Sequence, residues 1–253
     1  MAVLESMQNT TDIWTSLLEG KQEALQQLQR TYASKPNGSN TMGLGIAYLW
    51  LYQYEQAWEH FHKTITEDSM KGDAFFGMAG VAKWCLGETQ QAVSQWRAGL
   101  RAKYARASGL GVRMPLLLFF ASVVKQPSFK KEMAESLLME KVKDRRIKNW
   151  PGPIALLVLR QINEDEFQSL CRGDSEEDTL VRQWLAEFYR CLIQFEESKL
   201  PVLRASMRKL ADTNQPKNIL LNRIWNEEYF LARHEAGDSE KEKGSPIRAG
   251  ANR

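Results

Sequence analysis

An internal repeat constrains this chain more than any other feature. Gly45 recurs as Gly80, Ala57 as Ala92 and Phe61 as Trp96, each 35 positions on (80−45, 92−57, 96−61). Tyr54-Glu55-Gln56-Ala57 likewise aligns with Thr89-Gln90-Gln91-Ala92. A fixed spacing of this size marks a helical repeat. Glycine inside a helix costs about 1 kcal/mol against alanine, so Gly45 and Gly80 are expected where a second helix comes too close for a side chain. Ala57 and Ala92 are the small residues of that second helix. Phe61 and Trp96 follow four residues later on the same face. One such unit cannot bury its apolar face alone, so a stack of units is implied.

The residues at these positions resemble the tetratricopeptide repeat (TPR). Gly45, Tyr48, Ala57 and Phe61 match the pattern once, and Gly80, Gly87, Ala92 and Trp96 match it again. The chain departs from it at Lys83, where an aromatic residue is usual, and at Thr64 and Gly99, where alanine is usual. Ser69 stands in place of the usual terminal proline. The resemblance implies an all-α fold: a right-handed α-solenoid of antiparallel helix pairs, a TPR-like superhelix whose first helices line a concave groove. In the second half, WPGPIALLVL, a charged loop and EYFLARHE resemble the C-terminal half of bacterial NlpI-like TPR proteins. Those proteins carry a lipoprotein signal. The stretch MAVLESMQNTTDIW has neither a basic start nor an apolar core, so envelope anchoring is not expected.

The expected organisation is an N-terminal tail (1–10), a helical-repeat domain (11–236) and a disordered tail (237–253). The core repeats are 41–69 and 72–104. A shortened repeat over Thr11–Tyr32 caps them, and degenerate pairs follow at 115–146, 150–172 and 180–212. Pro115 opens an almost wholly apolar helix, LLLFFASVV, which should be deeply buried. Ser128 is expected to cap a helix over Phe129–Arg146, and Asn163 one over Glu164–Cys171. Arg172–Asp178 reads as an acidic loop before a helix over Leu180–Phe195. Pro201 must lie in a first turn. Ile219–Ala236 reads as a closing helix.

Composition narrows the function. The chain is 43% hydrophobic and 26% charged, with a net charge of +3. That is globular, and too weakly basic to point to nucleic acid. No run approaches the ~20 apolar residues of a membrane span, so no membrane insertion is expected. Cys85, Cys171 and Cys191 are odd in number and scattered, which implies a reducing cytoplasm rather than disulfides. Cys85 and Cys191 fall in apolar helices, as buried structural thiols do. His60 and His62 diverge on their helix and no spacing supplies a third ligand, so they read as surface histidines and no metal is expected. No nucleophile elbow, phosphate loop or dinucleotide fingerprint is present. The chain reads as no enzyme, with no cofactor. Arg172-Gly-Asp174 matches an adhesion tripeptide of the kind that arises by chance. The basic stretches 97–113 and 141–148 read as solvated faces near helix C-termini.

These readings point to a non-catalytic protein–protein interaction module, a cytoplasmic bacterial scaffold. Outward positions of the first helices are Met42, Ile46, Leu49, Trp50, Met78, Val81, Trp84 and Cys85, of which some belong to the groove and some to the core. TPR clamps for a terminal carboxylate use lysine, arginine and asparagine at these positions. Here they are apolar, so the expected partner is an apolar peptide or helix. Trp50 and Trp84 lie 34 apart (84−50) and form either a paired aromatic ledge or part of the core. The alternative function is an immunity or antitoxin-type protein that neutralises a toxin by occlusion. Oligomeric state is left open.

Overall fold

The structure is a computed structural model, and it describes residues 22–34, 38–67, 72–102, 111–124, 129–195, 200–212 and 227–237. Every regular element among the described residues is a helix. In chain order they are α1 (Gln22–Ser34), α2 (Gly38–Trp50), α3 (Tyr54–Glu67), α4 (Asp73–Cys85), α5 (Thr89–Gly99) and α6 (Arg113–Val124). There follow α7 (Lys131–Lys141), α8 (Gly152–Val158), α9 (Glu164–Leu170), α10 (Glu176–Phe195), α11 (Leu200–Asp212) and α12 (Glu227–Ala236). Successive helices from α1 to α7 pack each on the next. Helix α10 packs on α6 and α8, and α12 packs on α11, α10 and, far back in the chain, α4.

The repeat is visible as geometry. A Cβ on Gly45 would fall within the Phe61 ring, and one on Gly80 within the Trp96 indole. The glycines are therefore the sites where α3 and α5 lay a large aromatic residue directly on α2 and α4. The Trp96 Nε1–H also donates to the Gly77 carbonyl at 3.0 Å. Ala57 and Ala92 are fully buried at the same crossings.

Three first helices end in one motif. In α2 the Gln53 N–H reaches back to the Tyr48 carbonyl and the Tyr52 N–H to that of Leu49. In α4 Glu88 bonds Lys83 and Gly87 bonds Trp84; in α8 Gln161 bonds Leu156 and Arg160 bonds Leu157. This paired pattern is the Schellman cap, which needs a left-handed residue at its corner. Gly87 holds it with φ 82°, as glycine readily does, but Tyr52 holds φ 57° and Arg160 φ 54°. The turn that glycine announces once in the sequence is thus built twice more without it.

The departures from the repeat have local causes. Lys83 is buried, paired with Glu88 at 3.0 Å and seated 4.4 Å over the Trp58 ring. Thr64 is buried and donates to the His60 carbonyl. A Cβ on Gly99 would meet Met114 Sδ at 2.6 Å, because α6 crosses there.

Several element boundaries differ from expectation. Helix α7 spans Lys131–Lys141 rather than Phe129–Arg146, and a run of turns follows to Pro151. The proposed Ser128 cap lies outside the described residues. Asn163 does cap α9, accepting from the Glu166 N–H at 2.9 Å. Helix α10 starts at Glu176, four residues earlier than expected (180−176), because Ser175 Oγ accepts from the Asp178 N–H. The Arg172-Gly-Asp174 tripeptide is part of this helix start: the Gly173 N–H donates to Thr179 Oγ1 and the Asp174 N–H to Asp178 Oδ2. Pro201 sits in the first turn of α11. Residues 1–21, 219–226 and 238–253, which carry the expected first capping helix, the start of the closing helix and the tails, lie outside the described residues.

Candidate functional site

The face built by α2 and α4 is where the groove was expected, and a helix already lies on it. Helix α12, the last described helix, covers that face with eight of its ten residues buried. Its sequence, EEYFLARHEA, places two carboxylates, then two aromatic rings, then a guanidinium and a third carboxylate.

The aromatic side chains of α12 join a chain of rings drawn from both halves of the protein. Trp50 of α2 lies 4.9 Å from Tyr229 and 5.4 Å, edge-on, from Phe230. Tyr229 continues to Trp184 of α10 at 6.2 Å, and Trp184 stacks on Phe188. Phe188 stacks on Phe120 of α6, and Phe120 reaches Trp84 of α4 at 4.9 Å. Trp84 stacks on Trp96 at 5.6 Å. Offset and edge-on pairs of this kind each contribute about 0.5–1.5 kcal/mol beyond the area they bury. On the rim, the Arg233 guanidinium lies over the rings of Tyr52, Trp50 and Tyr229 at 4.5, 5.0 and 5.7 Å, a cation–π arrangement.

The polar groups of α12, three side chains and one backbone carbonyl, are met by four helices. Glu227 pairs with Arg113 of α6, both fully buried. Glu228 accepts from the Tyr189 hydroxyl of α10 at 2.8 Å. Glu235 accepts from Trp84 Nε1 of α4 at 2.8 Å. Arg208 of α11 donates to the Ala236 carbonyl at 2.8 Å. Gly77 makes room for this cluster, since a Cβ there would collide with the Glu227 carboxylate.

Among the described residues, carboxylates outnumber cations in the cluster. The Glu227, Glu228 and Asp73 carboxylates all act on the single Arg113 guanidinium. Burial pushes Glu228 up to about 7, with the Glu227 charge adding to it. Burial also raises Glu227, against the opposing pull of Arg113. The Tyr189 hydroxyl is held well above its ordinary value by burial and then by the Glu228 charge, so it is a donor throughout the accessible pH range. One oxygen of Glu227, one of Glu228 and the Trp50 Nε1–H are buried without a hydrogen-bond partner.

The residues expected to face a partner divide as follows. Met42, Ile46, Leu49, Met78, Val81, Trp84 and Cys85 are buried, and Trp50 is half-buried under α12. Trp84 is fully buried and belongs to the core. The paired ledge does not form, because the one-residue offset from an exact 35 rotates the two tryptophans about 100° apart around the helix. Trp50 turns onto Tyr229 and Phe230, whereas Trp84 turns onto Trp96 and Phe120 and donates to Glu235 of α12.

Sequence reasoning placed Arg113 in a solvated basic stretch; it is instead buried, and its charge is offset by Glu227. Arg97 and Arg101 are exposed, beside a surface groove of about 420 Å³ floored by Leu100, Phe129 and Met133. Lys103 and Arg106 lie outside the described residues. Within 141–148, Arg146 pairs with Asp144 and Lys148 with Glu166. His60 is not a surface histidine: it is half-buried, its Nε2 lies 2.9 Å from the Thr41 carbonyl, and burial lowers its pKa. His62 is exposed and stacks on Trp58. Cys171 and Cys191 are buried, and burial pushes both thiols up to about 11, which leaves them protonated and poor nucleophiles. No described helix is long and apolar enough to cross a membrane.

No family model, characterised protein or solved structure matches the chain.

Proposed function

We propose that the chain is a non-catalytic protein-interaction module of the tetratricopeptide-repeat type, a right-handed stack of antiparallel helix pairs. Its recognition surface is the face of α2 and α4. One observation carries this reading: a helix is seated on that face, anchored by aromatic rings and by donors from four other helices. A face that holds one helix by anchors of that quality has the composition of a helix-binding groove, with aromatic and arginine hot spots in a desolvated centre. The recurring caps of α2, α4 and α8 support the stack.

Trp50 separates recognition from folding better than Trp84, which is core. Affinity purification with mass spectrometry would compare the wild type, Trp50→Glu and, as a control on the exposed face of α7, Met133→Glu. The expected result is a partner set that survives Met133→Glu and is lost with Trp50→Glu, while the helical circular-dichroism signal is unchanged. An identical partner set with folded Trp50→Glu would show that this face is not the recognition surface.

A further inference from the structure

The groove contains buried donors whose described hydrogen bonds run to α12. Arg113, the Tyr189 hydroxyl and the Trp84 indole N–H belong to α6, α10 and α4, and each ends on a carboxylate of α12. A buried donor stripped of its acceptor costs about 1–3 kcal/mol, and more when it is charged. The face therefore demands an occupant with carboxylates at set positions. Between those carboxylates it demands rings, since Trp50 and Trp184 are completed by Tyr229.

The resident helix meets this demand imperfectly. One oxygen each of Glu227 and Glu228 and the Trp50 N–H are buried and unpartnered. Both Glu227 and Glu228 of α12 act on the Arg113 guanidinium. Buried ion pairs contribute little net stability, because desolvation offsets their attraction. Helix α12 is thus specified closely by its chemistry yet held less tightly than an apolar helix of equal area. Such a segment opens at a lower free energy than the core around it.

Resting on the interaction-module reading, we propose that α12 is an exchangeable occupant and that the partner is a protein presenting a helix of the same chemistry. That helix carries two adjacent carboxylates, two aromatic residues directly after them, and a further carboxylate about two turns on. It takes the place of α12 and restores every donor–acceptor pair that α12 makes.

The test uses the full chain and a fluorescently labelled peptide with the sequence of residues 227–237, followed by anisotropy. In wild type the tethered α12 competes with the peptide. In Phe230→Ala the tethered copy is weakened, so the peptide should bind about tenfold more tightly or better, in proportion to the open fraction. A peptide carrying Tyr229→Ala and Phe230→Ala should not bind. Should Phe230→Ala fail to fold, Arg233→Ala weakens the same helix from the rim and gives the same reading. Hydrogen exchange on the wild type provides a second measure: α12 amides should exchange faster than those of α4. Equal or absent binding by wild type and a folded variant overturns the proposal. So does α12 exchange that occurs only on global unfolding, or exchange seen only as a dimer of this chain with no peptide captured. If the peptide fails while Trp50→Glu still loses partners, the interaction module stands without the exchange. If the peptide binds and Trp50→Glu loses nothing, the groove takes helices but the module reading falls.

Discussion

Trp84 donates its indole N–H to Glu235, 151 positions later in the chain, across 2.8 Å of fully buried space. The bond ties α4 to α12, so losing it should be felt in both. Trp84→Phe keeps a ring against Trp96 and Phe120 but leaves the buried Glu235 oxygen unpaired, at about 1–3 kcal/mol. Trp84→Ala adds the cavity and should cost about 3–5 kcal/mol. Chemical denaturation of the three proteins checks the order. A Trp84→Ala chain as stable as wild type would contradict its core placement.

The crossing at Gly80 leaves no room for a methyl group, because the Trp96 indole occupies it. Gly80→Ala, helpful by propensity alone, should instead destabilise by about 1–3 kcal/mol through overpacking. Gly45→Ala should do the same against Phe61. Gly72, just before α4, where an added Cβ would meet nothing within 4 Å, is the control for crowding. Thermal melts of the three alanine variants separate crowding from intrinsic preference.

The Arg113–Glu227 pair should behave as a unit. Arg113→Met alone leaves a buried carboxylate without its cation and should cost about 3–5 kcal/mol. Arg113→Met with Glu227→Met removes both charges and should recover most of that loss. A double-mutant cycle in urea reads the coupling directly.

Stability should fall as pH rises from about 5 to 8. Glu228 is pushed up from 4.5 to about 7 in the folded chain, facing Glu227 on its own helix, Arg113 on α6 and Tyr189 on α10. Its folded form therefore binds a proton more readily than its unfolded form. The contribution is full below about 4.5 and is lost as pH climbs through about 7, with an upper size of about 3 kcal/mol. Glu228→Gln still accepts from Tyr189 and carries no charge, so it should flatten the slope between pH 5 and 8. Urea midpoints at the two pH values decide it; an unchanged slope places the titration elsewhere.

Arg160 supplies a test of the caps. It holds a left-handed backbone at the corner that closes α8, a conformation that costs a residue with a Cβ about 1–2 kcal/mol. Arg160→Gly relieves that cost but adds unfolded-state entropy, and should raise the melting temperature by about 2–4 °C. A lower melting temperature would mean that the arginine side chain contributes more than its backbone costs.

The sequence made one half of this architecture legible. Gly45, Gly80, Phe61 and Trp96 announce the crossings because two copies at one spacing cannot be accidental, and the structure puts them in contact. What stayed hidden is the burial of α12. Its apolar residues follow no clear helical stripe, and its three carboxylates argue for solvent. Each finds its partner only through the fold, at separations of 114 positions for Arg113, 39 for Tyr189 and 151 for Trp84. Arg113 was misread for the same reason: a basic neighbourhood along the chain says nothing of an acidic neighbour across it. The caps at Tyr52 and Arg160 were invisible because the signal for a left-handed corner is glycine, and neither has one.

The seating of α12 on α4 also sets an order of events during synthesis. Helix α4 ends at Cys85 and α12 begins at Glu227, so the ribosome adds 141 residues (226−85) between the face and its cover. At about 5–20 residues per second this takes on the order of ten seconds. Throughout that interval the nascent chain carries Trp50 and the Trp84 indole N–H without the helix that completes them. The interval is a window in which a chaperone, or the partner itself, can engage a surface that the finished protein keeps closed.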